Sequence, residues 1–444
     1  MATESTSRYV AEYPTLAPDL PGQNLPWLQQ LRKEALATFS ANGFPSPREE
    51  EWRYTNISAI EKKLFSPVVK SHLQANLDSI HAERIKALRL PDAWVVVLVN
   101  GHFSVELSVL EGLPVDVQLM ALADALSKVP ALVEKFLSQA VANQEHSLVA
   151  FNTAWFSDGV FVHVPAKQVL SKPIQILHVA TENDAVAATR SLIVLGEQAE
   201  AQVIESFVGA EEAYLTAAVT EVFVEANAHL TLYKAQTEAD KAYHFGGTYV
   251  KQAANARFTH HNFALGGMLA RCDIHTDLEQ ASECELNGLY LGVKRQHLDN
   301  HTRINHLKPH GISREMYKGV LDDRARGVFQ GRVIVAEDAQ KTDSQMNNRN
   351  LLLSNDAEAD TKPQLEIYAD DVKCGHGVTV GQLDEKSIFY LQSRCIDKET
   401  ARNMLTFAFA NEMVDKIKIK SLHDQVLEQV LVRFPQEGIQ KAWL

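Results

Sequence analysis

Ala228-His-Leu-Thr-Leu-Tyr-Lys-Ala-Gln-Thr-Glu-Ala-Asp-Lys-Ala-Tyr-His-Phe-Gly-Gly-Thr-Tyr-Val-Lys-Gln-Ala-Ala-Asn-Ala-Arg-Phe258 decides how the middle of this chain is read. Short runs of Val, Leu, Thr, Tyr and Phe are broken by Gly, Asn, Asp and Glu, which is the texture of strands and turns rather than helices. At each end stands a small residue, any residue, then an apolar one: Ala228/Leu230 and Ala256/Phe258. The same triplet occurs at Ala201/Val203 and Cys284/Leu286, giving steps of 27, 28 and 28 residues. Such steps suit a solenoid whose coils stack strands in parallel, each small residue filling an inward position. A β-sandwich with evenly spaced strands would look the same, and on the residues alone both architectures stand.

Working outward, this β texture begins after Asn152 and holds to Asp397. The first 150 residues read as α-rich with some β structure. Leu28, Leu31, Ala35, Leu36 and Phe39 form a helical stripe over residues 25–42, ended by Gly43 and Pro45. Residues 118–126 and 131–141 read as further helices, the latter led by Pro130, and residues 93–99 as a strand. Past residue 396, Asp397 is a candidate N-cap for a helix bearing Met404, Leu405, Ala408, Met413, Val414 and Ile417. Ser421 and Asp424 resemble a capping box for a second helix that Pro435 stops after Phe434.

With 444 residues, 45% hydrophobic, the chain can bury more than one core. Its 56 acidic against 43 basic residues give a net charge of −13, which repels nucleic acid and anionic membrane surfaces. The first ten residues lack a basic head and apolar run, and no apolar stretch reaches a membrane span. The four cysteines, at 272, 284, 374 and 395, show neither disulfide nor zinc-knuckle spacing, so a reduced, cytoplasmic setting is expected.

Ala369-Asp-Asp-Val-Lys-Cys-Gly-His-Gly-Val378 places Cys374 and His376 two residues apart in an extended run. In a strand they share one face about 6.6 Å apart, so a thiol and an imidazole could meet one ion. Two donors cannot close a four-coordinate site, and further ligands must come from elsewhere. A buried thiol beside a surface histidine is the plainer reading of these residues taken alone. His260, His261, His275, His297, His301, His306 and His310 crowd the β region, without an HExxH or comparable template, and read as solvated or hydrogen-bonded face residues. Gly375, Gly377 and Gly381 miss the dinucleotide spacing by one residue, and no P-loop occurs, so this chain is not an ATPase.

Several ordered segments carry a resemblance. They are Glu51-Trp-Arg-Tyr-Thr55, Asn152-Thr-Ala-Trp-Phe-Ser-Asp-Gly159, Asp338-Ala-Gln-Lys-Thr-Asp343, Gln345-Met-Asn-Asn-Arg349, Ala357-Glu-Ala-Asp-Thr-Lys-Pro-Gln-Leu-Glu366 and Phe389-Tyr-Leu-Gln-Ser-Arg394. In these the chain resembles the SufD subunits of the SufB-SufC-SufD iron-sulfur cluster assembly complex. The resemblance implies a mainly β fold, a right-handed parallel β-helix core over residues 151–396. An N-terminal α-rich domain, 1–150, and a C-terminal helical segment, 397–444, flank it. It implies a non-catalytic scaffold that pairs with SufB through the β-helix and docks the SufC ATPase through its C-terminal helices, where Phe407, Phe409 and Met413 are the candidate contacts. It implies that Cys374 and His376 help hold iron or a transient iron-sulfur cluster shared with SufB, no cofactor being tightly bound by the isolated chain, for which self-pairing as a homodimer stays open. The family usually has Gly where Cys395 stands. The nearest alternative is a SufB-like scaffold, whose chains are typically longer and richer in cysteine. A β-helix polysaccharide-active enzyme and a histidine-rich metalloenzyme are the rivals from other classes.

Overall fold

Residues 228–258 form the strands His229–Gln236 and Tyr243–Gln252, and each lies in a different sheet. The structure, a computed structural model, describes residues 4–63, 65–68, 79–141 and 146–433. Two ten-stranded sheets face each other, and from Val160–Val164 onward consecutive strands alternate between them, so that each coil contributes one strand to either sheet. The result is a β-solenoid of about 8 turns, built on parallel pairing from Val160–Val164 and Ile174–Ala180 through to Glu358–Ile367 and Lys373–Gly381. The sandwich alternative is excluded.

The repeat has a simple physical origin at the corners. Ala199, Ala228, Ala256 and Ser282 each close a turn by an N–H to the carbonyl three residues back, at 3.0 to 3.3 Å. The residue before each, Gln198, Asn227, Asn255 and Ala281, has φ between 55° and 60°, a region asparagine tolerates better than most residues. These corners stack: Asn227 N–H donates to Ala254 O at 3.1 Å and Asn255 N–H to Gln280 O at 2.9 Å. Small residues follow the turn because the corner leaves no room for more, and all four are buried.

The register differs from the sequence reading in an instructive way. Leu230 pairs with Ala201, Phe258 with Leu230, and Cys284 with Phe258, so the steps along this inward column are 29, 28 and 26 residues. Ala228 and Ala256 belong to the corner column, one inward position earlier. A slip of two residues keeps the same face and therefore hides in any apolar pattern.

Four strands from the first 150 residues, Ser66–Pro67, Trp94–Val99, His102–Val109 and Gln118–Ala121, join the sheets towards the solenoid's N-terminal end. Trp94–Val99 pairs in parallel with Ile174–Ala180, and Gln118–Ala121 antiparallel with Val160–Val164. The helix expected over 118–126 is thus a strand followed by the helix Leu122–Lys128, and the helix expected over 131–141 is Pro130–Phe136. The helix Pro26–Asn42 forms as its stripe requires, with Gly43 at φ 68° donating to Phe39 O at 2.8 Å. Its Phe39 joins Tyr9, Phe44, Phe151 and Trp155 in an aromatic cluster with edge and tilted contacts.

Beyond the last coil come the helices Glu385–Gln392, Lys398–Val414 and Lys420–Arg433. Asp397 caps the second, its carboxylate accepting from Thr400 N–H at 3.0 Å. The third begins without the capping box: Ser421 bonds Asp92 and Asp424 pairs with Lys420. Phe434 and Pro435 lie outside the described residues. Phe407, Ala410, Met413, Val414 and Ile417 pack on the outer face of one sheet against Tyr233, Phe263, Leu289 and Val320.

Candidate functional site at the open end of the solenoid

The inward column Ala201, Leu230, Phe258, Cys284, Ser313, Ser344 ends at Cys374, and the next inward column ends at His376, directly beyond Met346. Both candidate ligands therefore share the inward face, as their spacing requires. Ser344 and Met346 are sealed, at 1% exposure each, whereas Cys374 is half-buried and His376 exposed. The difference arises because Lys373–Gly381 is the last strand: it pairs with Asp343–Leu352 on one side and has no strand partner on the other among the described residues. Glu358–Ile367 ends the opposite sheet in the same way, and it carries Pro363, a residue confined to sheet edges because it lacks an N–H. Burial pushes the Cys374 thiol up, partly offset by a hydrogen bond from the Ser344 backbone. His376 has no hydrogen bond or ion pair among the described residues, so its imidazole is uncommitted.

The helical candidates sit differently. Phe407 is 6% and Met413 1% exposed, committed to the chain's own core. Phe409 is partly buried, with Lys318 Nζ 4.4 Å from its ring centroid. Outward-facing aromatics of this segment are instead Phe389, 72% exposed, and Tyr390, 57% exposed. Cys395 has φ 66°, which explains why glycine suits this position.

The histidines do not form a metal centre: among the described residues no group of three or more His, Cys, Asp and Glu side chains is arranged to hold an ion. His260, His261, His301 and His306 are buried rather than solvated. His301 and His297 serve a latch that sequence reasoning missed. Arg271, buried, pairs with Asp273 at 2.9 Å and Asp299 at 3.3 Å, lies 3.7 Å from the Trp52 ring centroid, and donates to Glu51 O at 2.7 Å. Thr55 donates to Asp299, which also meets His301 Nε2 at 2.9 Å. The Glu51–Thr55 motif is thereby clamped to the solenoid face, and the signal was the motif itself.

The second motif does comparable work at the first coils. Asn152 donates to Thr189 O and Ala217 O, and Asp158 accepts from the N–H groups of Ala123, Gly159 and Phe103. A Cβ on Gly159 would lie 1.7 Å from Arg190 O, so only glycine fits. Two of the segments singled out by resemblance thus tie the N-terminal region to the solenoid, Glu51–Thr55 at its middle coils and Asn152–Gly159 at its first. The family model for the SufBD protein N-terminal region matches residues 3–176, and that for the SUF system FeS cluster assembly SufBD core domain matches residues 178–409. The iron-sulfur cluster assembly protein SufD of Escherichia coli is 34% identical over 430 residues, 92% of this chain and 93% of that one. An iron-sulfur cluster assembly SufBD family protein of Synechocystis is 32% identical over 88% of this chain and 87% of its own. SufD of Bacillus subtilis is 26% identical over 91% and 93%. With both family models covering nearly its whole length, and motifs that fix a stacked β core ending in an open coil, the chain belongs to the SufBD family of iron-sulfur cluster assembly proteins.

Proposed function

We propose that this chain is a non-catalytic scaffold subunit whose last coil completes a shared iron or iron-sulfur site with SufB. The observation that carries the reading is the position of Cys374 and His376: inward-facing, partly open, and on the final strand of a sheet with an unpaired edge. A neighbouring solenoid end could continue both sheets and bring the missing donors. Iron and sulfide are cargo here, and labile two-donor ligation by this chain suits their release.

The SufC ATPase docks on the C-terminal helices in this reading. Phe407 and Met413 support that surface from below, and Phe409 flanks it, while Phe389 and Tyr390 supply exposed aromatic area. Only residues 382–384 separate the strand carrying Cys374 and His376 from the helix Glu385–Gln392. Movement of SufC would therefore reach the candidate site over a short covalent path. Co-expression with SufB and SufC, followed by purification through one tag on this chain, tests the assignment. Recovery of all three subunits is expected, and recovery of this chain without either partner would refute it.

A further inference from the structure

A cavity of about 600 Å³ lies between the N-terminal region and the outer face of the solenoid, in the opposite sheet from Lys373–Gly381. Its floor is the outward side of the strand Tyr243–Gln252, where Phe245, Gly247 and Tyr249 stand at alternate positions. A Cβ on Gly247 would lie 2.6 Å from Tyr249 Cε2, so the tyrosine ring leans over the bare glycine. Trp52 and His146 line the cavity beside these residues, their ring centroids each 6.0 Å from a floor ring, Phe245 for Trp52 and Tyr249 for His146.

Glu49, Glu50, Glu51 and Asp273 line the same cavity against one guanidinium, that of Arg271. Arg271 has nothing left to offer a ligand. Its three nitrogens already meet Asp273, Asp299, Glu51 O and His301 Nδ1, at 2.7 to 3.5 Å. Glu50 is paired with Lys362 at 2.5 Å, and one oxygen of Glu49 accepts from Ser46 N–H at 2.8 Å. Glu51 differs from both. Its main-chain carbonyl is fixed by Arg271, but among the described residues its carboxylate has no closer partner than His146 Nδ1 at 3.9 Å, beyond hydrogen-bond reach. His146 Nε2 is also buried on this wall without a hydrogen-bond partner.

Aromatic faces and surplus carboxylate, with the one guanidinium fully engaged, repel anions and offer a cation two favourable contacts, a ring face and an ionised acceptor. The chain displays that chemistry on the same wall, where the Arg271 guanidinium lies 3.7 Å from the Trp52 ring centroid and between two carboxylates. We propose that this cavity binds a small organic cation with a flat amidinium or guanidinium head, the head forked onto the Glu51 carboxylate and the body lying against Tyr249. Glu51 and Trp52 come from the N-terminal region and Tyr249 from the solenoid, so the occupant ties the two together and stabilises the folded chain.

The test titrates the full chain with benzamidine by calorimetry at low salt, with benzamide as the uncharged twin and benzoate as the charge-reversed one. Saturable one-to-one binding of benzamidine is expected, benzamide being at least about tenfold weaker and benzoate silent, with a melting temperature that rises with benzamidine concentration. Glu51→Gln should weaken benzamidine at least about tenfold, whereas Glu106→Gln, at an exposed carboxylate on the strand His102–Val109, should leave it unchanged. The proposal is overturned if benzamidine fails to saturate a site, if benzamide binds as tightly, or if the two variants weaken benzamidine alike, the mark of a cation held by overall negative charge. Should Glu51→Gln fail to fold, the comparison of benzamidine with benzamide on the wild-type chain decides by itself.

Discussion

Single residues in this chain are read best through what their position forbids. Cys395 occupies the left-handed region after the helix Glu385–Gln392, where a Cβ costs on the order of 1 kcal/mol or more. Cys395→Gly should raise the urea midpoint of unfolding without changing its slope; a lower midpoint would contradict the strain argument. Glu315 is a second case. It lies inward, at 3% exposure, and burial raises its carboxyl to about 8. The folded state therefore holds a proton that the unfolded chain, near 4.5, has lost. The stability this contributes is full below pH 4.5 and is lost as pH rises through about 8, at roughly 1.4 kcal/mol per pH unit between. Glu315→Gln should flatten stability over that window in chemical denaturation at several pH values, and an unchanged slope would show that Glu315 ionises freely.

Elements show where sequence patterns inform and where they stop. The helix Pro26–Asn42 was legible because its stripe and its glycine stop are local. Gln118–Ala121 was not, because its strand state depends on pairing with Val160–Val164, some forty residues away. The repeat period was legible, but its register was off by two residues, since corner and strand columns both want small apolar fillers. The inward Lys234, Glu205 and Glu315 break the apolar alternation, and that break was the available clue to a polar interior. In the C-terminal segment, an apolar stripe could not tell a self-packed face from a docking face, and the structure commits Phe407 and Met413 to the former. Phe407→Ala should accordingly destabilise the chain by about 3–5 kcal/mol in thermal or chemical denaturation. Phe389→Glu with Tyr390→Glu should leave stability within about 0.5 kcal/mol, as surface changes do, but reduce SufC recovered in co-purification. Undiminished SufC would place the docking surface elsewhere.

At the scale of the whole molecule, the solenoid is stiff along its ladder and finished differently at its two ends. The N-terminal end is closed by added strands and by the Asn152 clamp, while the Arg271 clamp ties the Glu51–Thr55 segment to the middle coils. At the far end the two terminal strands each keep one edge unpaired among the described residues. The C-terminal helices are tied back to earlier coils by Lys318 with Glu412 and by Lys416 with Glu285 at 2.9 Å. On the proposed reading, this asymmetry makes one end a support and the other a surface to be completed. The most direct measurement is the iron and acid-labile sulfide content of the complex purified after co-expression with SufB and SufC, comparing the wild-type chain with Cys374→Ser/His376→Ala. We expect the variant complex to assemble with unchanged subunit ratios and to carry less iron and sulfide, whereas equal iron and sulfide in the two complexes would contradict the shared site.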